Sequence, residues 1–351
     1  MSTQLSLPIL QDPPPWRALG ARGRERTESA APAPVRPSGA FSRPRTTVVE
    51  FVALPVRSVL NTPGSTGMGF WSLNPYVGCE FGCSYCYARD THRWAVDRRT
   101  AGQAGGPADD RSRPDPDEDF EHRILVKLDA PDVLARTLQP ARLRGRPLVI
   151  GTATDPYQPA ERKFEVTRGV LEALLGFTGL EIGLITKSPL VTRDIPLLAR
   201  LAERHEVSVN ISLAALDPHL IRRIERRSPG PRARLRALGE LTRAGLRAGL
   251  MLAPVLPGIS DGHAALDALI GAAREAGAQW VFAAPLRMND PTRRVFLPLV
   301  AREFPALAAR YQRAYGGRMN VGRDYARALQ DRVQALRRKH GIEARSSGHH
   351  P

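Results

Sequence analysis

The sequence predicts an α/β fold, a partial (β/α)6 barrel of the TIM type with extra helices at its C-terminal end. Three observations carry that prediction. Short apolar, β-prone runs alternate six times with runs of helical period, a rhythm that demands parallel strands and right-handed crossovers. A hydrophobic fraction of 42% over 351 residues can supply a large core. All three cysteines lie just after the first strand, at the end of such a barrel where chemistry is expected.

The elements follow in order. Residues 1–47 are rich in Pro, Arg, Ala and Ser, with too few apolar anchors to offset ordering entropy, and read as a disordered arm. The core, 48–294, opens with a strand at 71–76 and a helix after Cys86. An irregular insertion at 98–119 follows, where Gly, Asp, Arg and Pro replace any hydrophobic period. Then come a strand at 147–153 and a helix at 166–175, a strand at 180–186 and a helix at 195–202 with Asp194 as its N-cap, and a strand at 207–213 with a helix at 232–244. A strand at 250–255, a helix at 263–276 capped near Asp261, and a strand at 280–284 complete the series. Residues 295–340 form a C-terminal helical segment, with helices near 295–315 and 323–339, and 341–351 read as a disordered tail.

No stretch approaches the roughly 18 apolar residues of a membrane span, and the N-terminus lacks the pattern of a signal peptide, so a cytoplasmic protein without membrane contact is expected. Clustered, odd-numbered cysteines suit a reducing compartment. The formal charge of +16 points weakly to a polyanionic partner and leaves nucleic acid open; the segments 1–47 and 331–351 supply +7 of it. Only four lysines occur, Lys127, Lys163, Lys187 and Lys339, so the arginine excess is partly a habit of composition.

Cys79, Cys83 and Cys86 stand in the run Gly-Cys-Glu-Phe-Gly-Cys-Ser-Tyr-Cys-Tyr, and this sequence has no fourth cysteine. Three thiolates at spacings of four and three can converge on a soft metal centre, but a tetrahedral zinc or a four-iron cubane needs four ligands. One position is left for another ligand. Completion of a structural zinc by His92 is the plainer alternative, and would suit a basic nucleic-acid-binding protein with a structural Cys-ligated centre.

The order Cys-x3-Cys-x2-Cys, with the aromatic Tyr85 before the third cysteine at the end of the first strand, resembles the radical S-adenosylmethionine (SAM) enzymes. The segments 152–161, 185–189, 211–213 and 251–257, which fall at successive strand ends, look like those of the spore photoproduct lyase-like branch. The resemblance implies that Cys79, Cys83 and Cys86 bind three irons of a 4Fe-4S cluster and that the fourth iron takes the amino and carboxylate groups of SAM. It implies reductive cleavage of SAM, a 5'-deoxyadenosyl radical that abstracts hydrogen from a substrate not identified by the sequence, and an electron donor such as flavodoxin or ferredoxin.

By the same resemblance Tyr85 lies beside the adenine, with Tyr87 close by. The family's Gly-Gly-Glu segment is replaced here by residues 152–155, which leaves Thr154 and Asp155 as the nearest candidates for the methionine ammonium. Lys187 and Ser212 match positions that meet the carboxylate and ribose, and Ala253 would offer backbone to the adenine. Spore photoproduct lyase uses an additional cysteine to return hydrogen to its product, and its absence here argues against thymine-dimer repair by that route.

The remaining signals have simpler readings. Asp155 and Glu161 could serve a helix N-cap or a surface ion pair, and Ser212 a satisfied hydroxyl inside the barrel. Tyr157 reads as structural or substrate-contacting, and Trp71, Trp94 and Trp280 as core or rim packing. The series Arg222, Arg223, Arg226 and Arg227 reads as a solvated helix face, without the interleaved aromatics of a nucleic-acid groove.

Overall fold

A parallel run of strands in sequence order is the spine of the molecule. The computed structural model describes residues 48–91 and 116–342. Strand β3 (Trp71–Leu73) pairs with β6 (Leu148–Ile150), and β7 (Glu181–Thr186), β8 (Glu206–Ser212), β9 (Arg247–Val255) and β10 (Val281–Pro285) follow, each parallel to the last. This gives the order β10-β9-β8-β7-β6-β3, with β2 (Leu60–Asn61) added antiparallel at the β3 edge. Those are the six expected units. The sheet does not close, which fits an open, partial barrel.

The central strands β6, β7 and β8 are largely buried. The helix Val166–Leu174 buries Val166, Val170, Leu171 and Leu174, packing against the helices Ala130–Thr137 and Ile195–Ala202, and Ile195–Ala202 buries Leu197, Leu198 and Leu201 beside β8. Each such side chain contributes about 1.5–3 kcal/mol on burial. Helices Asp290–Glu303, Pro305–Tyr315 and Arg323–Lys339 follow the last strand, and Phe296, Tyr311 and Tyr315 form a chain of contacting rings. Among the described residues no helix is long and apolar enough to cross a membrane.

Several boundaries differ from expectation. The strand expected at 71–76 is two: β3 ends at Leu73, and β4 (Tyr76–Val77) joins a second sheet in the order β1-β5-β4, with β1 (Glu50–Ala53) and β5 (Arg123–Val126). Asn74-Pro75 makes the break. The Asn74 side chain accepts from the Ala153 amide at 2.8 Å, and the Pro75 carbonyl accepts from the Lys127 amide at 3.2 Å. Only three residues of the helix expected after Cys86, 89–91, are described as helical.

Neither expected acidic cap operates. Asp194 accepts from Arg168 at 2.6 Å and from Arg193, with no bond to its own helix N-terminus. Asp261 instead accepts from the Gly258 amide and the Tyr325 hydroxyl, each at 2.8 Å. The end of the insertion expected at 98–119 is helical, since a helix spans Pro116–His122. The arm 1–47, residues 98–115, the segment 343–351, His92 and Trp94 lie outside the described residues.

Candidate functional site

The three cysteines occupy a loop between β4 and the short helical turn at 89–91, and all are free thiols, Cys79 and Cys83 buried and Cys86 partly so. Two glycines shape the loop. Gly78 has φ +88°, and a Cβ there would stand 2.9 Å from the Phe120 carbonyl oxygen. Gly82 has φ +62°, and a Cβ there would stand 2.7 Å from a Glu121 carboxylate oxygen. Both conformations suit a residue without a side chain.

Braces reach the loop from several directions. Below it, Thr154 Oγ1 donates to the Gly78 carbonyl at 2.6 Å and accepts from Gln158 Nε2 at 2.9 Å, while Gln158 Oε1 accepts from the Glu80 amide at 2.9 Å. On one flank, Cys83 bridges to Glu225, and the Ser84 amide and hydroxyl both donate to the Ile224 carbonyl at 2.9 Å. On the other, Arg89 donates to the Cys83 carbonyl at 3.2 Å and pairs with buried Glu121. From the C-terminal segment, Thr292 Oγ1 donates to the Cys86 carbonyl at 3.1 Å and Asn289 Nδ2 to the Tyr87 carbonyl at 2.8 Å.

Arg222, Arg223, Arg226 and Arg227 are exposed, as expected of a solvated face, but the helix Pro218–Ile224 carries only the first two, and three of the four are ion-paired. Arg227 Nε donates to the Glu80 carbonyl at 2.6 Å and its Nη2 to Glu121 at 2.7 Å, and Arg226 reaches the same carboxylate at 3.1 Å. Arg223 pairs with Glu303 at 2.8 Å and covers the Phe304 ring. Three guanidiniums hold the Glu121 carboxyl below its ordinary range although burial opposes this.

Beside the loop lies a fully buried charge pair. Glu225 and Arg234 are both 0% exposed and in contact. Glu225 also accepts from the Tyr85 hydroxyl, and from Ser228 Oγ at 2.6 Å. Arg234 passes the link on, donating to the Ser212 carbonyl at 2.9 Å and the Pro229 carbonyl at 2.8 Å. Burial alone would raise the Glu225 carboxyl, but Arg234 and Lys187 outweigh it and bring it down to about 2.

Thr154, Asp155, Lys187, Ser212 and Ala253 lie at or beyond the carboxyl ends of β6 to β9, and Tyr85 and Tyr87 lie on the cysteine loop. Lys187, after β7, places Nζ 5.9 Å from the Tyr85 ring centroid, and no hydrogen bond or ion pair engages its ammonium among the described residues. Burial works against its charge, yet the Cys83 sulfur and Glu225 keep its affinity for the proton above the ordinary value. Asp155, after β6, is buried and accepts from Thr186 Oγ1 at 2.6 Å, the Lys187 amide at 2.7 Å and the Tyr157 amide at 2.9 Å. It ties β6 to β7 rather than sitting in a surface ion pair.

Ser212 ends β8 and is buried. Ala253 is partly exposed on β9, where the ladder to β10 slips between the pairs Leu252–Ala283 and Val255–Pro285, leaving Ala253 outside the regular register. Tyr87 donates its hydroxyl to the Thr152 carbonyl and is partly exposed. Tyr157 is wholly buried. Glu161 caps a helix, but from inside the core: it accepts from the Thr167 amide at 2.8 Å and the Arg168 amide at 3.1 Å. Trp71 and Trp280 are core residues, Trp280 donating to Asn210 at 3.0 Å.

Burial pushes the thiols up, Cys83 to about 12 and Cys79 and Cys86 in the same direction, so a metal centre bound here would have to displace their protons. Among the described residues no three His, Cys, Asp or Glu side chains are arranged to hold one metal ion. A single tetrahedral ion would need such convergence, whereas a cubane puts each thiolate on its own iron. The donor set fits the cluster: three soft sulfurs free of disulfides on a braced loop, with Lys187 offsetting negative charge.

Sequence reasoning missed Glu225, Arg234, Glu121, Gln158, Asn289 and Thr292. Arg234 carried a signal, since it lies on the apolar stripe of Pro231–Arg243 with Ala237, Leu238 and Leu241. The others act through tertiary contacts that no local pattern shows.

Known proteins give a consistent comparison. Residues 73–269, more than half of the chain, match the model of the Radical SAM superfamily. An uncharacterised protein of Mycobacterium tuberculosis is 34% identical over 288 residues, covering 82% of this chain and 79% of its own. An uncharacterised protein of Methanocaldococcus jannaschii is 24% identical over 213 residues, covering 61% and 70%. A spore photoproduct lyase variant solved with bound AdoMet and dinucleoside spore photoproduct superposes with a TM-score of 0.56 at 16% identity, over 82% of this chain and 79% of that one. At that identity the likeness is one of fold.

Proposed function

Because the chain belongs to the radical SAM superfamily and is a radical SAM enzyme, we propose that Cys79, Cys83 and Cys86 hold a 4Fe-4S cluster and that SAM binds over it at the strand ends. The observation that carries this is the set of three free thiols on a loop braced from several sides, next to the Lys187 ammonium and the buried Asp155 carboxylate. When bound, the cluster and SAM supply a 5'-deoxyadenosyl radical by one-electron cleavage of the sulfonium, and that radical takes hydrogen from a substrate.

The chain's own groups divide the work of holding SAM. Thr154 spends its hydroxyl proton on the Gly78 carbonyl, so it cannot donate to a ligand. Asp155 takes two donors on one oxygen and one on the other, which leaves an acceptor position for the methionine ammonium. Lys187 offers its ammonium to the methionine carboxylate, and Ser212 a hydroxyl to the ribose. Tyr85 keeps its hydroxyl on Glu225 and offers its ring, while Ala253 offers backbone outside the regular ladder. Tyr87, with its hydroxyl on Thr152, closes the rim. The surrounding apolar core excludes water from the radical.

This sequence has no cysteine beyond the three in the loop, so a protein thiol is not available to return hydrogen to a product radical. Anaerobic reconstitution should give about four irons and four sulfides per chain, as the cluster requires, and dithionite with SAM should release 5'-deoxyadenosine. A full iron complement with no deoxyadenosine would overturn the catalytic reading. Replacing Cys83 by Ala should abolish both cluster and product.

A further inference from the structure

We propose that the exposed arginines of residues 218–232 are the docking surface for the protein that delivers the electron, a small acidic one-electron carrier; this rests on the radical SAM reading above. The charge is one-sided. Arg222, Arg223, Arg226, Arg227 and Arg232 are all exposed, whereas the one acid of the segment, Glu225, is wholly buried and spent on Arg234. Arg223 is balanced by Glu303. Buried Glu121 faces the two exposed guanidiniums of Arg226 and Arg227, and Arg222 and Arg232 have no acidic partner among the described residues, so the exposed charge of residues 218–232 is positive.

This surface adjoins the cysteines. Arg227 Nε donates to the Glu80 carbonyl, beside Cys79, and its amide donates to the Phe81 carbonyl at 3.0 Å. Gly82 packs so closely that a Cβ would stand 3.1 Å from Arg227 Nη2. A carboxylate resting on Arg226 and Arg227 is thus separated from the Cys79–Cys83 peptides by one side chain. Arg222 extends the patch and donates to the Arg226 carbonyl at 3.1 Å.

Pinned guanidiniums lose little freedom when a partner binds, and a one-signed patch steers an oppositely charged protein to it. Nucleic acid is the other polyanion such a patch could meet. Residues 218–232 contain no Phe, Tyr or Trp on which bases could stack, and the patch lies against the cysteine loop. The observations therefore favour the acidic carrier.

The test compares the full-length wild type with Arg222→Glu/Arg232→Glu, in which the arginines that pair with Glu121 are untouched. Deoxyadenosine formation driven by reduced flavodoxin should fall by about tenfold or more at low salt, within the range that electrostatic steering provides. Formation driven by dithionite, which needs no docking, should stay at the wild-type level. Absorbance-monitored cluster reduction by flavodoxin should slow by the same factor, and raising salt should slow the wild type more than the variant.

An unchanged flavodoxin rate would overturn the proposal, as would equal losses with both reductants. It would also be overturned if the variant lost affinity for a single-stranded oligonucleotide while keeping its flavodoxin rate. Should wild type make no deoxyadenosine even with dithionite, the underlying reading fails instead. Flavodoxin binding to the two proteins, measured by titration, then decides the surface independently. If the double variant does not fold, Arg222→Glu alone should show the same selective loss at smaller size.

Discussion

Glu161 and Glu225 are both wholly buried, each takes a tyrosine hydroxyl, and each contacts an arginine, yet their acidities move in opposite directions. Glu161, beneath β4, is raised: burial dominates, because its cation Arg193 is 24% exposed and shared with Asp194 and Glu165. Glu225, beside the cysteine loop, falls to about 2 because Arg234 is as buried as it is and Lys187 stands near. Glu161 caps a helix from inside the core. Glu225 carries its full charge where the candidate ligands of the cluster and of SAM meet, which makes it part of the site's electrostatics.

The largest break in that comparison should come from removing each carboxylate. Glu225→Ala strands a buried guanidinium and should cost about 3–5 kcal/mol, whereas Glu161→Ala leaves unpaired amides and a hydroxyl and should cost about 1–3 kcal/mol. Denaturant unfolding of the two variants measures both. Equal costs would mean that the buried pair is no more than another polar contact.

A smaller effect is expected at the tyrosines. Tyr85→Phe should destabilise by about 1.5–3 kcal/mol, as for a bond to a charged group, and Tyr76→Phe, whose partner Glu161 is held less acidic by burial, should cost less. The loss at Tyr85 should vanish in a Glu225→Ala background, which a double-mutant cycle reads directly. Persistence of that loss would place the stabilisation in the ring and not in the hydroxyl.

The finest discrimination is the dependence on pH. For Glu225 the folded value lies below the ordinary 4.5, so its contribution is whole above 4.5 and is lost as pH falls toward about 2. For Glu161 the folded value lies above 4.5, so its contribution is whole below 4.5 and is lost as pH rises through the folded value. The stability gap between wild type and Glu225→Gln should thus narrow on acidification, while that for Glu161→Gln should widen. Parallel slopes would refute the opposed shifts.

Much of this was written in the sequence. The six strands and their order followed from periodicity, and the position of the cysteines after the first of them was plain. Asn74-Pro75 was a turn signal inside an apolar run, and the split between β3 and β4 lies there. The braces were less legible. Glu225 is an acid in an arginine run, a pattern that normally means solvent, and only the return of residues 224–228 against the cysteine loop turns it inward. Glu121 likewise gains its partners from residues 32, 105 and 106 positions away.

The bonds from Asn289 and Thr292 to the cysteine loop also set an order in time. They span 202 and 206 positions of sequence. At about 5–20 residues per second of synthesis, the thiols emerge roughly 10–40 s before those last braces exist. Until then the nascent loop offers three reduced sulfurs in a half-built frame. The same span means that the frame closes only after nearly the whole sheet has formed, so the native loop is a late product of the chain's assembly.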